Sequence, residues 1–146
     1  MQELEELNNF SPKAVDLTLY NDFKRRTERL EGDVGYYQAF KFAQESNQLI
    51  GYYMTHKVKA EGKLREAKAE LETLKANKSI ELGENVSDGD RKAMADQEVR
   101  EQKKYINKLE RYVNYLEGVI EKLNKTHYLM KQRYQEGEQE KARSEY

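Results

Sequence analysis

From Val99 to Tyr134, apolar residues return every three or four positions without a break. With Val99 at position a of a heptad, Ile106, Val113, Ile120, His127 and Tyr134 follow at a, and Gln102, Leu109, Leu116, Leu123 and Met130 fall at d. A repeat this regular marks a helix that buries one stripe against other helices. Little else could be built around it. Of 146 residues, 36 % are charged and 37 % hydrophobic, with one Pro, no Cys and no Trp. So few helix breakers and so much charge predict long, solvated helices, with part of the burial supplied by further copies of the chain. The expected fold is all-α: a short N-terminal helix and a long helical hairpin with coiled-coil heptads, assembled into a homo-oligomer.

The stripe is wider than a two-stranded seam. Tyr105, Tyr112 and Val119 fall at g and Tyr115 at c, which implies more than one neighbouring helix. One neighbour is the preceding helical stretch, folded back as a hairpin. β-Branched residues at a with Leu at d favour a two-stranded parallel coiled coil, so subunit number and orientation stay open. Ile106, Leu109, Val113, Leu116, Ile120, Leu123, His127 and Met130 are the residues expected to carry self-association.

Three segments are expected. Residues 1–31 combine an acidic lead (Glu3, Glu5, Glu6) with a helix that starts at Ser11-Pro12 and runs to about Leu30, its apolar positions being Val15, Leu19, Phe23 and Leu30. Residues 32–135 form the hairpin. Its first arm runs from about Val34 to Lys78, aromatic early (Tyr36, Tyr37, Phe40, Phe42) and then carrying Leu64, Ala67, Leu71 and Leu74 at 3, 4, 3 spacing. Gly35, Gly51 and Gly62 mark bends or close contacts in it. Asp33 is the expected cap of that arm. A mobile acidic loop, 79–90, ends in Asp88 or Asp90 as the cap of the second arm, which is expected over 91–135. Residues 136–146 read as a charged, fraying tail.

Several chemistries find no support. Without Cys there is no disulfide framework and no thiolate zinc site. No phosphate-cradling Gly motif occurs, and the carboxylate pairs lie in polar contexts. His56 and His127 lie on different helices, and His127 reads as a register-setting polar residue in the stripe. No catalytic residue, metal or cofactor is expected. No apolar run approaches the ~18 residues of a membrane span. The acidic start Met1-Gln-Glu-Leu-Glu-Glu-Leu lacks a signal-peptide core, so a cytoplasmic protein is expected.

The charge is segregated. Between Lys57 and Lys78 seven cations (Lys57, Lys59, Lys63, Arg65, Lys68, Lys75, Lys78) meet four glutamates. Between Arg91 and Lys131 ten cations meet six carboxylates, although the whole chain carries only -1. Such a layout holds a polyanion on one face while the molecule stays near neutral. Tyr52 and Tyr53 precede the first run, and Tyr105, Tyr112 and Tyr115 interleave with Lys103, Lys104, Lys108 and Arg111 in the second; an aromatic ring beside cations suits a single strand, whose bases stack while its phosphates meet the charges. The competing reading is a solvated helix face with Glu and Lys four residues apart. For Tyr105 and Tyr112, packing at the g positions is the favoured reading.

An acidic lead, a short helix, a basic helix, an acidic loop and a second, apolar-striped helix resemble the layout of the phage recombination mediators of the UvsY type. The matching stretches are Tyr52 to Lys78, ending Leu71-Glu-Thr-Leu-Lys-Ala-Asn-Lys78, and Ala95 to Gln135, including Val119-Ile-Glu-Lys-Leu-Asn-Lys-Thr-His-Tyr-Leu-Met-Lys131. The family's basic-aromatic DNA motif would fall at Leu74-Lys75-Ala76. Here Asn77-Lys78-Ser79-Ile80 stands in place of its aromatic pair. The resemblance implies a homo-oligomer that binds single-stranded DNA and helps load a RecA-like recombinase onto strands coated by single-strand-binding protein, in the host cytoplasm. On this reading Lys57, Lys59, Lys63, Arg65, Lys68, Lys75 and Lys78 contact phosphates, and Tyr52 or Tyr53 stacks on a base. The alternative is a coiled-coil adaptor or an inhibitor of a host nuclease or defence complex, whose acidic segments imitate DNA.

Overall fold

The computed structural model describes residues 18–29, 35–82, 89–92 and 96–144. Among them only Arg29, Gly35 and Asp96 are not helical, so the fold is all-α. The helices are α1 (Thr18–Glu28), α2 (Tyr36–Leu82) and α3 (Gln97–Ser144). They distribute over two compact units: one holds residues 58–115, the other 16–57 and 116–146.

In the first unit, α2 and α3 run antiparallel. Lys78 lies against Glu98 (3.5 Å) and Lys68 against Glu110 (3.5 Å), so positions that descend on α2 meet positions that ascend on α3. Ala67, Ile106 and Leu109 form the buried cluster, flanked by Leu64, Leu71 and Tyr105. The Gln102 amide donates to the Ala67 carbonyl at 3.0 Å, which satisfies a polar d residue at the edge of the stripe. Asp96 caps α3: its carboxylate accepts from the Glu98 N–H (2.9 Å) and its carbonyl from Arg100 N–H (3.1 Å).

The expected cap, Asp90, has a different task. It accepts from the Ser79 hydroxyl at 2.8 Å within a short helical turn over 89–92. Gly89 sits beside it, where a Cβ would overlap the Ser79 carbonyl. The expected loop therefore begins late, since α2 continues through Ser79 to Leu82. Asp88 and Asp33 lie outside the described residues.

In the second unit, α1 and the rest of α2 and α3 enclose a separate core. Phe23 meets Phe42 edge-on at 5.9 Å, with Tyr20, Leu49, Tyr53, Leu116, Ile120, Leu123 and Met130 also buried. Tyr20 takes the inward place expected of Leu19, which is half exposed; Val15 and Leu30, with Ser11-Pro12, lie outside the described residues. Arg26 ties α1 to α2 through a two-pronged contact with Glu45, one prong 2.9 Å. That hydrogen bond, ahead of Coulomb attraction, raises the Arg26 pKa against the desolvation that lowers it.

Small residues let the helices approach in this unit. Ala39, Ala43 and Ser46 are all buried. His127 Nδ1–H donates to the Ala43 carbonyl at 2.9 Å and sits 3.3 Å from Ser46 Oγ, which donates to the same carbonyl. Gly137 packs on Tyr36 so closely that a Cβ would overlap the tyrosine side chain. The expected tail is helical through Ser144, with Lys141 5.9 Å from the Tyr36 ring. Gly35, Gly51 and Gly62, expected at bends or contacts, have nothing within 4 Å of an added Cβ. Gly51 and Gly62 lie in unbroken helix.

Candidate nucleic-acid interface

Seven of the residues expected to join separate copies are buried within the single chain: Ile106, Leu109, Val113, Leu116, Ile120, Leu123 and Met130. His127 is half buried with its hydrogen bonds made inside the chain. The antiparallel arm of the same chain covers the stripe, so these side chains offer no surface to a second copy. The parallel pairing suggested by β-branched a positions does not apply to this neighbour.

The two adjacent tyrosines part company, as neighbours on a helix must. Tyr53 is 1 % exposed and belongs to the core, so it has no ring face for a base. Tyr52 is 43 % exposed, its ring edge-on to Tyr53 and to His56 (4.7 Å). Tyr112 is buried and Tyr105 half buried, in line with packing.

The cations expected on α2 are largely spent on carboxylates. In the second unit Lys57 pairs with Glu117 at 3.4 Å. In the first unit Lys68 pairs with Glu110, Lys75 with Glu72, and Lys78 with both Asp96 and Glu98. Desolvation pulls the Lys78 ammonium down, but Asp96, Glu98 and Glu81 outweigh it, and its pKa is raised. Lys59 and Arg65 are exposed. Lys63 lines an open groove of about 450 Å³ between α2 and α3, beside Glu66, Glu70, Glu98 and Glu101. That groove is acidic. Tyr105 shares it, and burial, followed by Glu70 and Glu66, raises the phenol's pKa.

Paired lysines on α2 have a consequence for α3. Glu98 and Glu110 turn toward Lys78 and Lys68, and Glu101 accepts from the Gln97 amide at 3.2 Å. Arg100, Lys104, Lys108 and Arg111 are left exposed, and none of them joins an ion pair among the described residues. Sequence reasoning counted these four in the basic excess but assigned the phosphate contacts to α2. The tyrosines interleaved with Lys104, Lys108 and Arg111 pointed to this helix, and the near-even spacing that adds Arg100 was the further signal.

Among the described residues no group of three or more His, Asp or Glu is placed to hold a metal ion. No helix among them is long and apolar enough to cross a membrane. No family model matches the chain, and no match was found among curated proteins or solved structures.

Proposed function

We propose that this protein binds single-stranded DNA and acts as a recombination mediator, loading a RecA-like recombinase onto strands coated by single-strand-binding protein. The observation that supports this reading is the uneven charge of the first unit. Its inter-helix ion pairs consume Asp96, Glu98 and Glu110, and leave Arg65, Arg100, Lys104, Lys108 and Arg111 exposed without a carboxylate partner among the described residues. Exposed, uncompensated cations release counterions from a phosphate backbone without reading its sequence. A mediator needs that: it must hold any strand and then let it go.

Each subunit's patch is modest. A homo-oligomer multiplies such contacts through effective concentration. Because the apolar stripe of α3 is occupied inside the chain, assembly must use other surfaces. A protein partner is the second reading, favoured by Tyr128 (69 % exposed) and Leu129 (45 %) on α3 of the second unit.

Anisotropy of a labelled single strand of ~30 nucleotides, long enough for several subunits, tests the first reading over a salt series. Binding should weaken as salt rises, with a logarithmic slope of about 0.7 per phosphate neutralised. Absence of binding at low salt would remove the nucleic-acid reading. A loading assay with recombinase on coated strands then tests the mediator step.

A further inference from the structure

Arg100, Lys104, Lys108 and Arg111 follow one another on α3 in steps of four, four and three residues. At about 100° per residue they share a sector of roughly 80°, close to one cation for each turn of helix. No acidic residue lies in that sector between them. Of the nearby acids, Glu110 turns to Lys68 and Glu98 to Lys78, while Glu101, exposed at the edge of the sector, accepts from the Gln97 amide and also lines the groove beside Glu66 and Glu70. Tyr115, half buried, follows Arg111 by one further turn.

We propose that this stripe is the phosphate track of the protein, along which a single strand of nucleic acid lies parallel to α3. The inference rests on the single-strand reading above and moves the contact surface from α2 to α3. Three features choose the occupant. The cations form a single row along one sector of a helix, which matches the contour of one backbone. The acidic groove on the adjacent flank repels phosphate, so the strand is confined to the stripe. Tyr115 offers a ring at the end of the row, and stacking requires an unpaired base. A lipid surface fits poorly. Between Arg100 and Arg111 the same side of α3 exposes Asn107 and no large apolar residue to enter the acyl region.

The test compares three full-length proteins by anisotropy with a labelled oligo-dT strand of ~30 nucleotides: wild type, R100Q/K104Q/K108Q/R111Q, and K63Q/K75Q. Circular dichroism checks that each is folded. Should the quadruple variant fold poorly, R100Q/K104Q and K108Q/R111Q take its place, each expected to remove about half the effect. The quadruple variant should lose at least about tenfold in affinity at low salt, and its salt slope should fall by about three, the value for four phosphates on a single strand. K63Q/K75Q should stay within about threefold of wild type, since Lys63 lines the acidic groove and Lys75 already pairs with Glu72. If wild type binds and the quadruple variant binds equally with an unchanged slope, the track is wrong while the proposed function stands. If wild type does not bind at all, both fall. Equal affinity of wild type for a blunt duplex, or stripe-dependent capture on phosphatidylserine vesicles, would overturn the assignment to a single strand.

Discussion

Leu109→Ala separates the two roles that the apolar stripe of α3 could have. Leu109 is fully buried and touches the cluster of Ala67 and Ile106, with Leu64, Leu71 and Tyr105 around it. Truncation removes the isobutyl group and leaves a cavity opposite a residue that is already small. Ala67 has no further atoms to swing into the space, so little relaxation is expected. Leu→Ala changes of this kind cost about 2–5 kcal/mol, and we expect a value near 3. With a urea dependence of about 1–3 kcal/mol per molar, the unfolding midpoint should fall by roughly 1–3 M. Circular dichroism at 222 nm, followed through a urea titration at two protein concentrations tenfold apart, provides the measurement. The loss should be the same at both concentrations, because the contacts lie within one chain. A loss below about 1 kcal/mol would refute the close packing of Leu109 within the chain, and a smaller assembly mass with an unchanged midpoint would show that it faces another copy.

Three further outcomes follow from the packing. Gly118→Ala meets nothing within 4 Å and should stabilise α3 by up to about 1 kcal/mol, whereas Gly137→Ala, made in the same helix, should destabilise because its methyl group collides with Tyr36; equal midpoints in thermal melts would contradict the close contact. His127→Ala deletes the donor to the Ala43 carbonyl and should cost about 1–3 kcal/mol, with His127→Gln recovering part of it in the same urea assay; a neutral His127→Ala would mean that the bond contributes nothing. Burial, then Glu70 and Glu66, raises the Tyr105 phenol, so its neutral form stabilises the fold fully below its unfolded value of about 10, and that contribution fades as pH climbs through the raised folded value. The ultraviolet difference titration between wild type and Tyr105→Phe should show one phenol ionising late in the folded protein and at its ordinary value in urea; an ordinary midpoint in both would remove the argument.

Helical class and the residues of the stripe were legible because periodicity is a local property. Ile106, Leu109, Val113 and Leu116 repeat at a spacing that only a helix with one buried face satisfies, whatever covers that face. What covers it was not legible. A β-branched a position packs against any helix that arrives, and the heptad does not record whether the partner belongs to the same chain. The core of the second unit was hidden for a different reason. Ala39, Ala43 and Ser46 carry little hydrophobic signal, yet close helix contact needs residues that small. Gly137 falls in the segment expected to fray, and its value becomes visible only beside Tyr36.

Charge illustrates the division most clearly. Composition and order determined that this chain is helical, striped and locally basic. They could not say which cations stay available, because an ion pair joins residues far apart in the chain. Lys68 and Glu110 are 42 positions apart, and only the antiparallel packing of α2 on α3 brings them to 3.5 Å. That packing pairs Lys68 and Lys78, two of the cations expected to meet phosphates, and leaves Arg100, Lys104, Lys108 and Arg111 open on the other helix. Periodicity follows from neighbours along the chain, whereas net surface charge follows from neighbours in space, and only the tertiary structure supplies those.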